Sequence, residues 1–246
     1  MPSPPGPTWP RPPSPRRGGA GGAARPRGGR IGAPTPWPAR ASAARPPAFR
    51  GLQAAARQVG GVQIQNVATI GGNICNASPA ADGVPPLLVL DAAVELRSTR
   101  GTRVLALSEF LLGNRHTERR PDELLTAVLV PGPPVGGVGS FEKLGTRAYL
   151  VISIVMVAAL AEVAADGSID SARVAVGACS PVARRLTDLE RDLVGRSLDE
   201  PIEDLVTAEH LAPLSPIDDV RASAAYRLAV IPSLVARALR SARSTS

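Results

Sequence analysis

Residues 68–82 hold the chain's densest grouping of groups able to do chemistry: Ala68-Thr-Ile-Gly-Gly-Asn-Ile-Cys-Asn-Ala-Ser-Pro-Ala-Ala-Asp82. Gly71 and Gly72 carry no Cβ, so backbone N–H groups there can turn toward one point, and such a concavity binds oxyanions. Thr69 and Ile70 precede the pair and Asn73 follows it, adding a hydroxyl and an amide. Ser78-Pro79 reads as the N-cap and first residue of an apolar helix running to Leu90. A pyrophosphate laid across this corner would collect backbone donors, the Thr69 hydroxyl and the Asn73 amide. The pattern predicts at least one positive φ at the glycine pair, beside an open cleft. A plain glycine turn between two core elements is the alternative. Asp82 likewise reads either as a ligand contact or as a first-turn carboxylate favoured by the helix dipole.

Other chemistries find little support. The two cysteines, Cys75 and Cys179, have no spacing that suits zinc or an iron–sulfur cluster and read as small apolar residues of a reduced compartment. His116 and His210 stand far apart without acidic or cysteine neighbours at ligand spacing, so no metal site is expected. No nucleophile–base pair and no pair of acidic groups suited to hydrolysis is present. Lys143 is the only lysine in an arginine-rich chain. No acidic residue precedes Asp82 while ten arginines do, leaving the remainder at −3 within an overall +7. The positive charge therefore belongs to a leader, not to a folded surface. Residues 1–28 are rich in Pro, Gly and Arg, a composition that cannot bury enough apolar surface to fold. Arg17-Gly-Gly and Arg27-Gly-Gly look like RNA-binding repeats, but they form no array and aromatics are scarce, so nucleic-acid binding is disfavoured. The longest apolar run, Tyr149 to Ala161, is shorter than the roughly 20 residues of a membrane span. No apolar signal segment opens the chain, and a cytoplasmic location is expected.

The elements that must position these residues read as α+β. Ala48 to Val59 suggests a helix with Leu52, Ala55, Ala56 and Val59 on one face. Val94–Arg97 and Val104–Leu107 alternate around Ser98–Thr102 as a hairpin, and Leu107–Leu112 reads as a short helix capped at Ser108. Leu124–Val130 is a strand that Leu125 would join as a core residue, ended by Pro131-Gly-Pro-Pro134, the expected domain boundary. Strands follow at Gly139–Leu144, Ile152–Val163 and Ala172–Ala178, the last two joined by the tight turn Ala165-Asp-Gly-Ser168. Helices are expected at Val182–Val194, Pro201–His210 and Ile217–Leu239, the last with a break near Pro232. Strands followed by helices indicate α+β rather than a doubly wound sheet.

Val59-Gly-Gly-Val-Gln-Ile-Gln-Asn-Val-Ala-Thr-Ile-Gly-Gly-Asn73 resembles the second flavin-binding loop of the molybdenum hydroxylase flavoproteins. The resemblance continues through Asp82, Phe141–Arg147, Ile152–Val155 and Ser215–Tyr226, so it covers roughly residues 50–242. It implies a two-subdomain FAD-binding domain of the PCMH type at 29–133, its first subdomain incomplete, then a C-terminal α+β domain at 138–242 with an antiparallel sheet and helices. The Ala-Gly-Gly-x-[Ser/Thr] loop that opens such flavoproteins is not matched, since Gly18-Gly19 and Gly21-Gly22 follow no strand pattern. By resemblance, Thr69, Ile70, Gly71, Gly72 and Asn73 grip the FAD pyrophosphate, Asp82 reaches its sugar-alcohol or phosphate region, Leu125 packs on the cofactor and Lys143 sits near the isoalloxazine. The implied role is an oxidoreductase subunit that passes electrons from an iron–sulfur subunit and a molybdopterin-binding large subunit through FAD to NAD or another acceptor. A structural or assembly subunit without flavin is the alternative, distinguished by its lack of flavin absorbance.

Overall fold

The computed structural model describes residues 28–41, 45–132, 136–147 and 151–243, so residues 1–27 of the leader, with Arg17-Gly-Gly and Arg27, lie outside the described residues. Strand β1 (Gly29–Gly32) is followed by five helices: α1 (Trp37–Ala41), α2 (Arg50–Gln58), α3 (Val62–Val67), α4 (Ile70–Asn76) and α5 (Val84–Val89). The hairpin β2 (Ala93–Ser98) and β3 (Gly101–Ala106) leads into α6 (Leu107–Phe110), the short pair β4 (Leu111–Gly113) and β5 (His116–Thr117), and β6 (Leu124–Val130). A second run holds β7 (Val138–Leu144), β8 (Val155–Val163), β9 (Ile169–Gly177), β10 (Arg184–Arg185), α7 (Thr187–Asp192), α8 (Ile202–Leu205), α9 (Ala208–Leu211) and α10 (Ala224–Ser241). Two antiparallel four-stranded sheets result, ordered β1-β6-β2-β3 and β10-β9-β8-β7.

The layers explain the long apolar run read from the sequence. Helices α2 and α5 pack on one face of the second sheet and α10 and α7 on the other. Along β8, Met156, Ala158 and Leu160 join the core shared with the first sheet, while Val155, Val157, Ala159 and Ala161 join the core under α10. A strand covered on both faces has no polar side, so its period-2 pattern becomes a continuous apolar stretch. Helix α2 also approaches β7 backbone to backbone. A Cβ on Gly51 would lie 2.5 Å from the Ser140 carbonyl oxygen, and one on Gly139 would collide with the Ala48 carbonyl. Only glycine permits that approach.

Several expected boundaries move for identifiable reasons. The segment Val182–Val194 is not one helix, because Arg184 and Arg185 pair with β9 and Glu190 accepts from the Val174 N–H at 2.9 Å. The last helix starts at Ala224, capped by the Ser223 hydroxyl, because Asp219 closes a turn ahead of it. It runs unbroken through Pro232, carried by Ile231, Leu234, Val235 and Leu239 in the core. Pro201–His210 divides into α8 and α9, and α6 begins without a cap from Ser108.

Within the first sheet, Glu95 on the inner strand β2 ties its own strand to β6 and to β1 beyond it. It accepts from Arg30 on β1 at 2.7 Å, from Thr126 on β6 at 2.6 Å and from Arg97 at 3.1 Å. The Arg30 hydrogen bond leads the effects that lower the Glu95 pKa, to about 2. A carboxylate so depressed stabilises the fold above its unfolded value and loses that contribution as pH falls toward the folded value. Glu95→Gln should therefore cost about 2 kcal/mol at neutral pH. In denaturant titrations that difference should shrink steadily as pH falls from 4.5 toward about 2.

Candidate functional site

The glycine pair lies in helix, not in a positive-φ turn. Gly71 and Gly72 occupy the first turn of α4, and neither is among the glycines with positive φ. The expected nest of free donors is largely committed to the fold. Ile70 N donates to the Thr35 carbonyl at 3.0 Å, Gly71 N to Ala33 at 3.0 Å and Asn73 N to Thr69 at 3.0 Å. Gly72 N donates to the Thr69 hydroxyl at 3.1 Å, so Thr69 acts as the N-cap. Each glycine has its own reason. A Cβ on Gly71 would come within 2.7 Å of the Ala33 side chain, so its absence lets α4 dock on the turn after β1. Gly72 is exposed, with only its cap partner near, and leaves an open, side-chain-free surface. The helix expected from Ser78 starts instead at Val84. Ser78–Ala81 form a turn in which the Ser78 hydroxyl accepts from Ala80 N at 3.3 Å.

Asp82 and Lys143, sixty-one positions apart, meet in the interior. Lys143 Nζ lies 2.6 Å from Asp82 Oδ2, with side chains 5% and 8% exposed, and donates also to the Gln58 carbonyl at 3.2 Å. The Ser153 hydroxyl donates to Asp82 Oδ1 at 2.6 Å. Burial pushes the Asp82 carboxyl above its usual pKa, outweighing the opposing pull of Lys143 and Ser153. Gln58 ends α2, Asp82 precedes α5, Lys143 sits on β7 and Ser153 just before β8, so the constellation spans both halves of the chain. Asn73 reaches the same region: its Oδ1, buried and without a donor among the described residues, would lie 2.9 Å from a Cβ on Gly83, next to Asp82. Leu125 stands on β6 opposite Leu96, partly buried against the first core, and α4 packs on that strand.

Sequence reasoning gave no role to Ser153 or Arg227, both buried. A serine inside an apolar strand run was the available signal for Ser153. For Arg227, an arginine among the apolar positions of a helix was the corresponding sign. A cleft of about 410 Å³ opens between the Ser78–Ala80 turn and the second half of the chain, with Ile152, Ser153, Ser180 and Arg227 on its walls. Two buried polar atoms of that lining, Ser180 Oγ and Arg227 Nε, have no partner among the described residues. Both thiols are pushed up by burial, Cys179 to about 11, so neither is a ready nucleophile. Among the described residues no group of three or more potential metal ligands occurs, and no helix is long and apolar enough to cross a membrane.

Comparison with known proteins gives two adjoining family matches. Residues 24–133 match the FAD binding domain in molybdopterin dehydrogenase, and residues 140–242 the CO dehydrogenase flavoprotein C-terminal domain. The chain is 32% identical over 192 residues to the xanthine dehydrogenase FAD-binding subunit of Escherichia coli O157:H7, covering 78% of this chain and 65% of that one. It is 30% identical to the carbon monoxide dehydrogenase medium chain of Afipia carboxidovorans, over 74% of this chain and 62% of the relative. It thus spans less than two thirds of the length of these relatives. A crystal structure of the Cu,Mo-CO dehydrogenase in its cyanide-inactivated form superposes with a TM-score of 0.81 at 28% identity, covering 89% of this chain and 77% of that one.

Replacing one partner of the buried pair leaves the other charge uncompensated. Asp82→Asn should lower stability by about 3 kcal/mol, and adding Lys143→Met should recover part of that loss. Urea unfolding of both variants checks this, and a double variant no more stable than Asp82→Asn alone would contradict it.

Proposed function

Because the chain belongs to the flavoprotein subunits of the molybdenum hydroxylase family, we propose that it is the FAD-binding subunit of a molybdenum-containing hydroxylase or dehydrogenase. In that reading it works in the cytoplasm within a complex containing an iron–sulfur subunit and a molybdopterin-binding large subunit. It passes electrons onward to NAD or another acceptor. The observation that carries the reading is the Asp82–Lys143–Ser153 constellation, built from both family-matched regions and bordering the cleft through Ser153.

The residues present fit a flavin nucleotide. Among the described residues Asn73 Oδ1 is a buried acceptor lacking a donor and the cleft brings unpartnered polar atoms to apolar walls, while Gly72 offers surface without a side chain. Bound FAD supplies a redox centre able to exchange electrons singly or in pairs. The chain's own work is positional and electrostatic. Thr69, Ile70, Gly71, Gly72 and Asn73 would hold the phosphate end, Leu125 would pack on the cofactor, Asp82 would face the sugar-alcohol or phosphate region, and Lys143, paired with it, would lie near the ring. Gly72 N is already held by Thr69 Oγ1, so a phosphate must share or replace that bond.

Titrating FAD into the purified protein should give saturable binding with flavin absorbance near about 450 nm. Gly72→Val should weaken that binding at least about tenfold, because a β-branched side chain crowds the Thr69 hydroxyl and covers the open surface, while the unfolding midpoint changes little. Unaltered flavin affinity in this variant would remove Gly72 from the site. Absence of any binding, alone and in the native complex, would favour the non-flavin structural subunit.

A further inference from the structure

Arg227 sits on α10, far in sequence from the constellation around Asp82, yet it is joined to that constellation through the segments it holds. It is 2% exposed, and its guanidinium serves three segments at once. Nη1 donates to the Ile154 carbonyl at 2.5 Å and the Ala178 carbonyl at 3.2 Å, and Nη2 to Asp219 Oδ1 at 2.7 Å. Each carbonyl begins a short route to the same carboxylate. Ile154 follows Ser153, whose hydroxyl donates to Asp82 at 2.6 Å, and Ile154 N donates to the Leu144 carbonyl beside Lys143 at 2.8 Å. Ala178, held at a positive φ of 63°, donates its N–H to the Pro79 carbonyl at 2.9 Å in the turn that leads to Asp82.

The remaining anchor is itself fixed. Asp219 also accepts from the N–H groups of Arg221 and Ala222 and from the Arg221 guanidinium, so it holds Arg227 from a closed turn. A flat fork with five donors can bridge three acceptors in fixed directions, as a lysine ammonium on a flexible stem cannot. Well-packed apolar residues often stabilise a buried site as well as an ion pair does, so stability alone does not account for a charge here. Orientation of the segments it touches does.

We propose that Arg227 is a positioning residue for the cofactor site, clamping the strand entry at Ile154 and the loop at Ala178 so that Ser153 and the Ser78–Ala81 turn present Asp82 to Lys143. The cofactor part of this statement rests on the function proposed above; the link from Arg227 to the Asp82–Lys143 pair does not. Lys143, as the chain's only lysine, gives a specific readout. In the full-length protein, its acetylation by sulfosuccinimidyl acetate, followed by mass spectrometry, reports how often the pair opens.

Arg227→Met and Ser153→Ala should each raise the Lys143 acetylation rate about tenfold well below the unfolding midpoint. The double variant should be no faster than either single one, since both break the same linkage. Arg227→Lys should restore only part of the protection. FAD affinity should fall in parallel across the series. An unchanged Lys143 rate in Arg227→Met together with a lowered midpoint would show a merely structural residue and overturn the proposal, as would rates that multiply in the double variant. If Arg227→Met does not fold, Asp219→Asn, which loosens one anchor and keeps the guanidinium, is judged by the same criteria. Wild-type protein that binds no FAD yet shows this acetylation pattern would overturn the cofactor reading and leave the positional link standing.

Discussion

A charge pair taken out of water organises this protein. Lys143 and Asp82 are almost fully enclosed, and their attraction has to offset the desolvation of both groups. The raised Asp82 pKa means that burial outweighs its partners. The folded state therefore holds the Asp82 proton to higher pH than the unfolded chain does. Ionising Asp82 thus costs more in the folded state than in the unfolded chain, and the packing around the pair has to supply that difference. Such a pair persists only if every surrounding segment is fixed, which makes it a demand on the whole architecture.

That demand is met by close contacts between layers. Gly51 and Gly139 bring α2 against β7 at backbone distance, and the end of the same helix offers the Gln58 carbonyl to Lys143. Strand β8, apolar on both faces, locks the two cores to one sheet, and Ser153 enters just before it. Salt bridges from Asp91 to Arg173 and Arg185 tie the loop after α5 to the second sheet at 2.9 Å each. The cleft beside Ser153 thus has walls from distant parts of the chain that are held in register by interior contacts, a preorganisation suited to binding a large cofactor.

Much of the sheet structure was legible because its signals are local. Val94–Arg97, Leu124–Val130 and Gly139–Leu144 announce themselves by alternation or β-branched content, and Asp166-Gly167 marks its hairpin through a side-chain acceptor and a positive φ of 86°. The apolar run Ile152–Val163 reads as a strand, but its unbroken character is explained only by the helices on both faces of the sheet. Gly71-Gly72 was misread in conformation because glycine serves two ends: freedom in φ and absence of a Cβ. Here the second applies, and the partner that demands it, Ala33, is 38 positions away. Helix α3 went unread because none of its residues is buried, so it has no amphipathic stripe to detect. Asp82 and Lys143 were singled out through resemblance, but their pairing depends on a contact between halves of the chain that no spacing discloses. Arg227 is a stronger case, since its three acceptors come from three separate segments.

The most direct test of a cofactor site centred on this pair is a nitrogen-15 NMR titration of the Lys143 ammonium with FAD. The chain's single lysine makes the side-chain resonance unambiguous. A buried, Asp82-paired ammonium should give one signal protected from exchange, and adding FAD should shift it with the same saturation curve as the flavin's own spectral change. FAD that binds to saturation while this resonance stays in place would contradict the account and put the flavin elsewhere on the protein.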